Sequence, residues 1–422
     1  MPARSPVKRF RFPTLLSAFL TLLNDRLSES IFLPLLPFLL EDFSNSGSTV
    51  GLLSGTYALS QFAVAPLIGA LSDRYGRKPV ISLCVLGSVL GMGLFATTLT
   101  LPWQQLWPAA AAAGLPLAML FLARIIDGAS GGTAATATAV LADITTPENR
   151  AKAFGLIGVA FGLGFVLGPI LGGLLSGINR TLPAWAATAF ALTNLIVVLG
   201  MLPETHPMDA RKALPRKREL NPATLLARVF SKPDVRRLSI AFFGFFMTFN
   251  GFTTVLVLYL RNIFNWNQGM TSLAFALVGV IAMVVQGGLI GPLVKRFGEL
   301  RLTLTGIGLL TVGCLLVPLA SPNNSVPVVY TAVALLALGT GLVTPCLRAL
   351  VSRRLGSDGQ GSALGGLQGL QSLGTFLGAS AAGFSYDRIG PTSPFWFAVV
   401  MLFGVALLVA GGLPKRDQSL EA

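Results

Sequence analysis

The sequence predicts an all-α membrane protein, with twelve transmembrane helices in two pseudo-symmetric six-helix bundles and both termini cytoplasmic. Three observations carry that expectation. Hydrophobic residues make up 53% of the 422 residues and charged residues only 11%, against about 25% charged in soluble domains. Apolar runs long enough to cross a bilayer recur along the chain, separated by short polar breaks. Lysine and arginine alternate from break to break, dense on one side and nearly absent on the other.

A transmembrane helix needs about 20 mostly apolar residues. Runs and breaks place spans near 14–40, 48–71, 79–100, 114–142, 152–177 and 184–202. Six more fall near 237–261, 270–293, 301–320, 326–350, 361–385 and 394–413. The N-terminal "MPARSPVKRFRFP" is basic and precedes an apolar run, as a signal peptide would be. No small-residue cleavage site follows, and the run carries Asp25, Arg26 and Glu29. It reads as an uncleaved first span. The stretch 98–123, with "LPWQQLWPAAAAAGLP", reads as loop or as helix start. The polar stretch 203–236 divides the spans into an N-terminal bundle, 1–202, and a C-terminal bundle, 237–422. Rich in Lys, Arg and Pro, it reads as a solvated cytoplasmic linker beside anionic lipid.

The placement of charge tests this map. Cytoplasmic loops are enriched in Lys and Arg. Of the 31 such residues, only Arg180, Arg261 and Arg388 fall on the outer side, and Arg26, Arg124 and Arg348 fall within spans. All the others lie on the side of the termini, among them Arg4, Lys8, Arg9, Arg11, Arg74, Arg77, Lys78, Arg150, Lys152, Lys295, Arg296, Arg301, Arg353, Arg354, Lys415 and Arg416. The same placement sets aside nucleic acid as a partner, despite a net charge of +14. Cys84, Cys314 and Cys346 sit in apolar runs without metal or disulfide spacing, and the single histidine, His206, lies in a loop. No metal site is expected. No span offers a Ser–His pair or a metal triad, so an enzyme is not expected either.

The halves echo each other. "GALSDRYGRKP" (69–79) stands between spans 2 and 3, and "GPLVKRFGELR" (291–301) between spans 8 and 9. Gly, Leu, Arg and Gly recur in register. A parallel repeat of six-span halves is a transporter signature, with a site near the midplane between them.

The first of these stretches resembles the loop 2–3 signature of the major facilitator superfamily, G-x-L-x-D-R-x-G-R-K. The match covers Gly69, Leu71, Asp73, Arg74, Gly76, Arg77 and Lys78. The resemblance implies a latch on the cytoplasmic side, carried by Asp73, Arg74 and Arg77. In the second half Lys295 replaces the Asp, so the latch there is expected to be weaker or absent. Span 5, "GLGFVLGPILGG", resembles the signature associated with antiporters of that superfamily, matched at Gly164, Gly168, Pro169, Gly172 and Gly173. Small residues every four positions also suit close helix packing as such. Span 4 resembles the signature R-x-x-q-G, with Arg124 and Gly128 in place and Asp127 where a neutral polar residue is usual. Over the first six spans the chain looks like the tetracycline-resistance branch of the drug:proton antiporters. Weaker echoes continue in "ALGTGLVTP" and around Ser362–Leu370. Span 1 matches that branch at Asp25 and Pro34–Pro37, while Arg26, Glu29 and Asp127 are additions. The branch carries an acid in span 9; here Leu310 stands near that place.

An ionisable group inside a membrane is by default a candidate functional group. Asp25 and Glu29 are four residues apart and share a helix face. Arg124 and Asp127, three apart, can pair. Burial favours the protonated form of a carboxylic acid and a nearby guanidinium the ionised form. A proton-coupling cluster of Asp25, Glu29, Arg124 and Asp127, with Arg26 as charge partner, follows as an expectation. Asp25 is the first choice of coupling acid, and span 4 is expected to supply the partners of span 1. Asn250, Gln286, Gln368 and Gln371 are candidate cavity residues. Phe243, Phe246, Phe249 and Phe252 face lipid or wall the cavity. The expected function is proton-coupled efflux of a small amphipathic or drug-like compound by alternating access, with symport or uniport of a small metabolite as the alternative. The proton is the only coupling agent expected, with no cofactor. The expected setting is a monomer in the lipid bilayer of a bacterial plasma membrane.

Overall fold

The computed structural model describes residues 12–145, 147–211, 221–230, 233–355 and 360–411. Arg4, Lys8, Arg9, Arg11, the linker run 212–220, Lys415 and Arg416 lie outside the described residues, as do the side chains of Arg150, Lys152 and Ser362. Among the described residues nine helical stretches are long and apolar enough to cross a membrane. One of them, Gln268–Leu319, holds spans 8 and 9. Spans 1 and 11, Phe12–Ser30 and Gln360–Arg388, complete the set. The others are span 2 (Gly47–Tyr75), span 3 (Arg77–Thr100), span 5 (Pro147–Ile178), span 6 (Leu182–Met201), span 7 (Pro233–Phe264), span 10 (Ser325–Leu355) and span 12 (Ser393–Ala410). Span 4 is made of two helices, Leu115–Ala129 and Thr133–Ile144.

The breaks have local causes. Span 1 stops at Ser30 rather than near 40, and the chain turns through Leu33–Leu35 and a short helix, Leu36–Leu39. Pro34 and Pro37 each sit at the start of one of these pieces, where a missing N–H costs nothing. The ambiguous stretch after span 3 forms two short helices, Trp103–Leu106 and Pro108–Ala112. Spans 2 and 3 part at Gly76 (φ 107°), and spans 8 and 9 at Gly298 (φ 75°). Both angles lie where only glycine is unstrained, which explains the glycine shared by the two repeats. Span 8 also carries a π-helical turn, Val285–Leu289. The linker is not solvated throughout. Its segment Pro222–Phe230 is helical, and Leu226 and Phe230 pack against the C-terminal core. Their i, i+4 spacing gives that helix one apolar face.

The two halves are packed differently. The C-terminal half has one large apolar core, with Phe242, Phe245, Phe252 and Phe395 fully buried. The N-terminal half has two main ones. One joins Leu15, Leu22, Val85, Val140, Leu141 and Val198. The other joins Ile31, Phe32, Leu35, Phe95, Leu120 and Ala187. Both take residues from spans 3, 4 and 6, the first with span 1 and the second with the segment just after it, and between them these spans carry polar residues. The interior of this bundle is therefore layered.

Across the halves, span 2 packs on span 11 and span 5 on span 8. The first contact is a backbone-to-backbone approach. A Cβ on Gly51 would collide with the carbonyl oxygen of Ala379. Gly51→Val should therefore lower stability by about 1–3 kcal/mol, the usual cost of overpacking. Gly200→Val, at a position with open space around it, should leave stability unchanged. Thermal unfolding in detergent checks both.

Candidate functional site

The polar layer of the N-terminal bundle is built first from span 1. Arg26 Nη2 donates to Asp25 Oδ2 at 2.6 Å, and Arg26 Nη1 pairs with Glu29 one turn on. The guanidinium lies over the Phe161 ring of span 5, 4.7 Å from its centre. On span 4, Arg124 Nη1 donates to Asp127 Oδ2 at 3.3 Å, and both side chains are buried. Arg124 is sandwiched by Tyr57 and Phe32, at 4.6 and 5.2 Å. Aromatic faces replace water around a cation that could not otherwise be buried cheaply.

The two ion pairs face one small cavity. It is lined by Asp25, Arg26, Glu29, Tyr57, Ser88 and Asp127, among others, and its volume is about 20 Å³. About 10–15 Å³ suffices for one water, so in this arrangement the space is of a size for water. The expected cluster is thus assembled, with one correction. The acids of span 1 take their cation from Arg26 on their own helix, not from span 4. Arg26 has neighbours at i−1 and i+3, and its long side chain reaches both without leaving the helix. Five charges of opposite sign leave the layer with a net charge of −1 when all are ionised.

Neighbouring helices hold this layer tightly. Ser28 Oγ donates to the Ala187 carbonyl at 2.9 Å, and Ser30 Oγ to the Gly164 carbonyl at 2.8 Å. The glycines of span 5 supply the approach. A Cβ on Gly164, Gly168 or Gly172 would meet Arg26, Ser30 or Ile31 of span 1, and one on Gly173 would meet Ser272 of span 8. Pro169 lies inside the same helix. The span 5 pattern therefore seats the charged helix and also touches the other half. Span 4 breaks at Ser130–Gly132, just past Asp127. The freed Gly131 carbonyl accepts from Gln61 Nε2 at 3.1 Å, and Gln61 Oε1 accepts from Ser372 Oγ of span 11 at 3.1 Å. Gly131 lines the cavity, so a short polar chain runs from the charged layer to the other half.

Each end of the molecule has its own ion pairs. At the end carrying the 2–3 turn, Arg77 donates to Asp73 Oδ1 (2.7 Å) and to Asp143 Oδ2 of span 4 (3.1 Å). Glu204, just past span 6, accepts from the amides of Arg77 (2.9 Å) and Lys78 (3.2 Å) and so caps span 3. Arg74 lies over the Tyr75 ring and joins no ion pair among the described residues. At the 8–9 turn, Glu299 pairs with Arg353 of span 10 at 2.8 Å. A bridge stands at this turn too, but among the described residues it is a single one from an exposed Arg353, where the partly buried Arg77 makes two. Glu299 stands in register with Arg77, and Arg353 takes the part of Asp143. The bridge is retained with its charges exchanged, which a search for the missing Asp at Lys295 overlooks.

At the opposite end the two halves are clasped. Asp387, at the end of span 11, accepts from Ser46 Oγ (2.6 Å), Ser48 Oγ (2.6 Å), the Gly47 amide (2.8 Å) and the Ser48 amide (2.8 Å). These are the unpaired donors at the start of span 2, where a carboxylate is favoured. Beside it, Arg261 of span 7 donates to the Pro37 carbonyl (2.9 Å) and pairs with Glu41 (2.7 Å). Sequence reading missed this clasp, though a signal was there. Gly383, Asp387, Arg388 and Gly390 repeat the spacing of Gly69, Asp73, Arg74 and Gly76.

The remaining candidates divide. Gln371 Oε1 accepts from Arg348 Nη2 at 2.8 Å. Gln368 is partly buried one turn away on the same helix. Gln286 is exposed on the π turn, a feature common at functional sites. Asn250 Nδ2 is spent on its own helix, donating to the Phe246 carbonyl at 2.9 Å. Phe246 and Phe252 are buried in the C-terminal core, and Phe243 and Phe249 pack against it. Phe246 makes ring contacts with Phe242 and Phe245, and Phe249 with Phe245 and Phe252.

Two packed bundles, a charged layer at mid-depth and ion pairs at both ends describe an integral, multi-pass membrane carrier. The model of the Major Facilitator Superfamily matches residues 16–379 and 287–421, and the chain belongs to that family. It is 32% identical over 390 residues to the class C tetracycline resistance protein of Escherichia coli, covering 92% of each chain. It is 29% identical to human major facilitator superfamily domain-containing protein 10, covering 91% of this chain and 90% of that one. The crystal structure of that human protein, described as an organic anion transporter, superposes with a TM-score of 0.72 at 27% identity, over 96% of this chain and all of the other. The xylose transporter XylE of E. coli in a partially occluded inward-open conformation gives a TM-score of 0.74 at 14% identity, over 97% and 99% of the two chains. These relatives are transport proteins and not enzymes.

Asp387→Asn should loosen the clasp, because hydrogen bonds to an ionised acceptor contribute about 1.5–3 kcal/mol each. Spin labels at the exposed positions Gln105, in the short helix after span 3, and Asn323, in the turn before span 10, should then show a longer-distance population grown by at least about tenfold. The native cysteines are buried, so background labelling is low. An unchanged distance distribution contradicts the clasp.

Proposed function

We propose that this carrier exchanges protons for a small amphipathic or drug-like compound, moving the compound outward by alternating access. The observation that carries the reading is Arg26 shared between Asp25 and Glu29, beside a cavity sized for water. With both acids ionised, one guanidinium holds two negative charges. A proton on either acid leaves a neutral pair, and Arg26 shifts to the other acid. Substrate and proton therefore compete for the same layer. Asp25 is the first choice of coupling acid, then Glu29 and Asp127, and Arg124 tunes Asp127 by direct pairing.

The bundles 1–202 and 237–422 rock about the layer, tethered by 203–236, each chain working alone. The basic end faces the cytoplasm, in keeping with the bias of Lys and Arg. The bridges of Arg77 and Glu299 then stand at the cytoplasmic side and the Asp387 clasp at the outer side. The clasp is made in this structure, which is the arrangement for access from the cytoplasm. The chain Gly131–Gln61–Ser372 links the charged layer to the moving half. Drug efflux is supported by the tetracycline resistance relatives, and the span 5 glycines by their seating of Arg26.

In proteoliposomes with an imposed pH gradient and tetracycline as probe, Asp25→Asn should abolish substrate-driven proton movement. Folding and tetracycline binding should persist. Proton movement at the wild-type rate in Asp25→Asn removes the assignment.

A further inference from the structure

The C-terminal half has no charged layer, yet away from the ends of its spans, as read from the sequence, it holds one cation, Arg348. No Asp or Glu occurs within spans 7 to 12 as read from the sequence. Glu299 is at the 8–9 turn and bound to Arg353, and Asp387 is at the far end in the clasp. Among the described residues Arg348 makes no salt bridge, and its buried Nε–H has no acceptor. Among the described residues its one hydrogen bond is to Gln371 Oε1, at 2.8 Å.

Snorkelling does not explain the residue. Side chains on a helix lean toward its N-terminus, and span 10 runs from the clasped end toward the basic end. Arg348 thus leans away from the nearer, basic end. It stands about 10 Å from the helix end at Leu355, by a rise of 1.5 Å per residue. Gln371 stands deeper, about 16 Å along span 11 from Gln360 by the same rise. The head group reaches inward, beside the turn of span 11 whose Ser372 touches Gln61 of the other half. A guanidinium cannot shed its charge, and an unpaired one in a membrane interior is costly.

We propose that Arg348, oriented by Gln371, is the recognition group for an anionic substituent of the transported compound: a carboxylate, an enolate or a sulfonate. The inference rests on the carrier reading above and names the substrate class of that site. The planar guanidinium matches a two-oxygen anion, and the amide NH₂ of Gln371 adds donors beside it. The negative layer of the other half, with its net −1, repels a simple anion and accepts a positive end. A zwitterionic or anionic amphiphile with its anionic end on Arg348 satisfies both halves. Outward movement of a monoanion against one inward proton carries two positive charges inward per cycle, so an inside-negative potential must accelerate it.

The test uses purified full-length protein in proteoliposomes, with 6-carboxyfluorescein as the anionic probe and rhodamine 6G as the cationic one. Wild type should transport 6-carboxyfluorescein, faster under an imposed potassium–valinomycin potential. Arg348→Gln should raise its KM by about tenfold or more, the effect of losing hydrogen bonds to a charge, and Arg348→Lys should lie between. Thermal stability and rhodamine 6G handling should be unchanged in both variants. A wild-type KM for the anion in Arg348→Gln overturns the proposal, as does wild type that carries rhodamine 6G and rejects 6-carboxyfluorescein, or carries neither. Arg348-dependent movement of 6-carboxyfluorescein with no response to a pH gradient would sustain this assignment and refute proton coupling.

Discussion

The shared guanidinium of Arg26 is the interaction on which the rest of the N-terminal bundle depends. Three carboxylates and two arginines are placed in a membrane interior, where an isolated charge costs several kcal/mol. Pairing reduces that cost, but only if the helices bring the partners within bonding distance and keep lipid away. The glycines of spans 5, 3 and 4 do this by removing side chains where Arg26, Asp127 and Tyr57 must fit. Two apolar clusters, one toward each end of the bundle, seal the layer above and below. The span 5 motif is then a packing requirement of the charged helix.

The asymmetry between halves has the same origin. A bundle with a paired, titratable layer can change its charge by one proton. A bundle with a continuous aromatic core cannot, and gains rigidity instead. One half holds buried ion pairs between its apolar clusters, and the other a large apolar core. The bridges at both ends join helices at sites remote from the layer. Their rearrangement can therefore follow the layer's protonation only through the packed helices and the Gln61 chain between them.

Much of the fold was legible in the sequence, because the bilayer demands long apolar helices and sorts basic residues by side. The spans, the 2–3 turn and the members of the charged layer were all readable from spacing. Pairing was not. Arg26 was expected to look across to span 4, because helical-wheel angles describe Cα positions and not the reach of a long side chain. The exchanged bridge of Glu299 and Arg353 was hidden because a motif records residue types, whereas the energy depends on the product of charges. The spacing that Asp387 shares with Asp73 marks the acid of the clasp but not its partners, which lie more than 330 residues away in sequence. The helix in the linker was masked by the basic residues around it.

The central claim is that the acids around Arg26 are the groups that take up the proton. Infrared difference spectroscopy of the protein in proteoliposomes, stepped from alkaline to acidic pH without substrate, tests it directly. The account predicts a protonated-carboxyl band that appears on acidification, is lost in Asp25→Asn with Glu29→Gln, and persists in Asp73→Asn. A band of undiminished intensity in the Asp25→Asn, Glu29→Gln variant would contradict it.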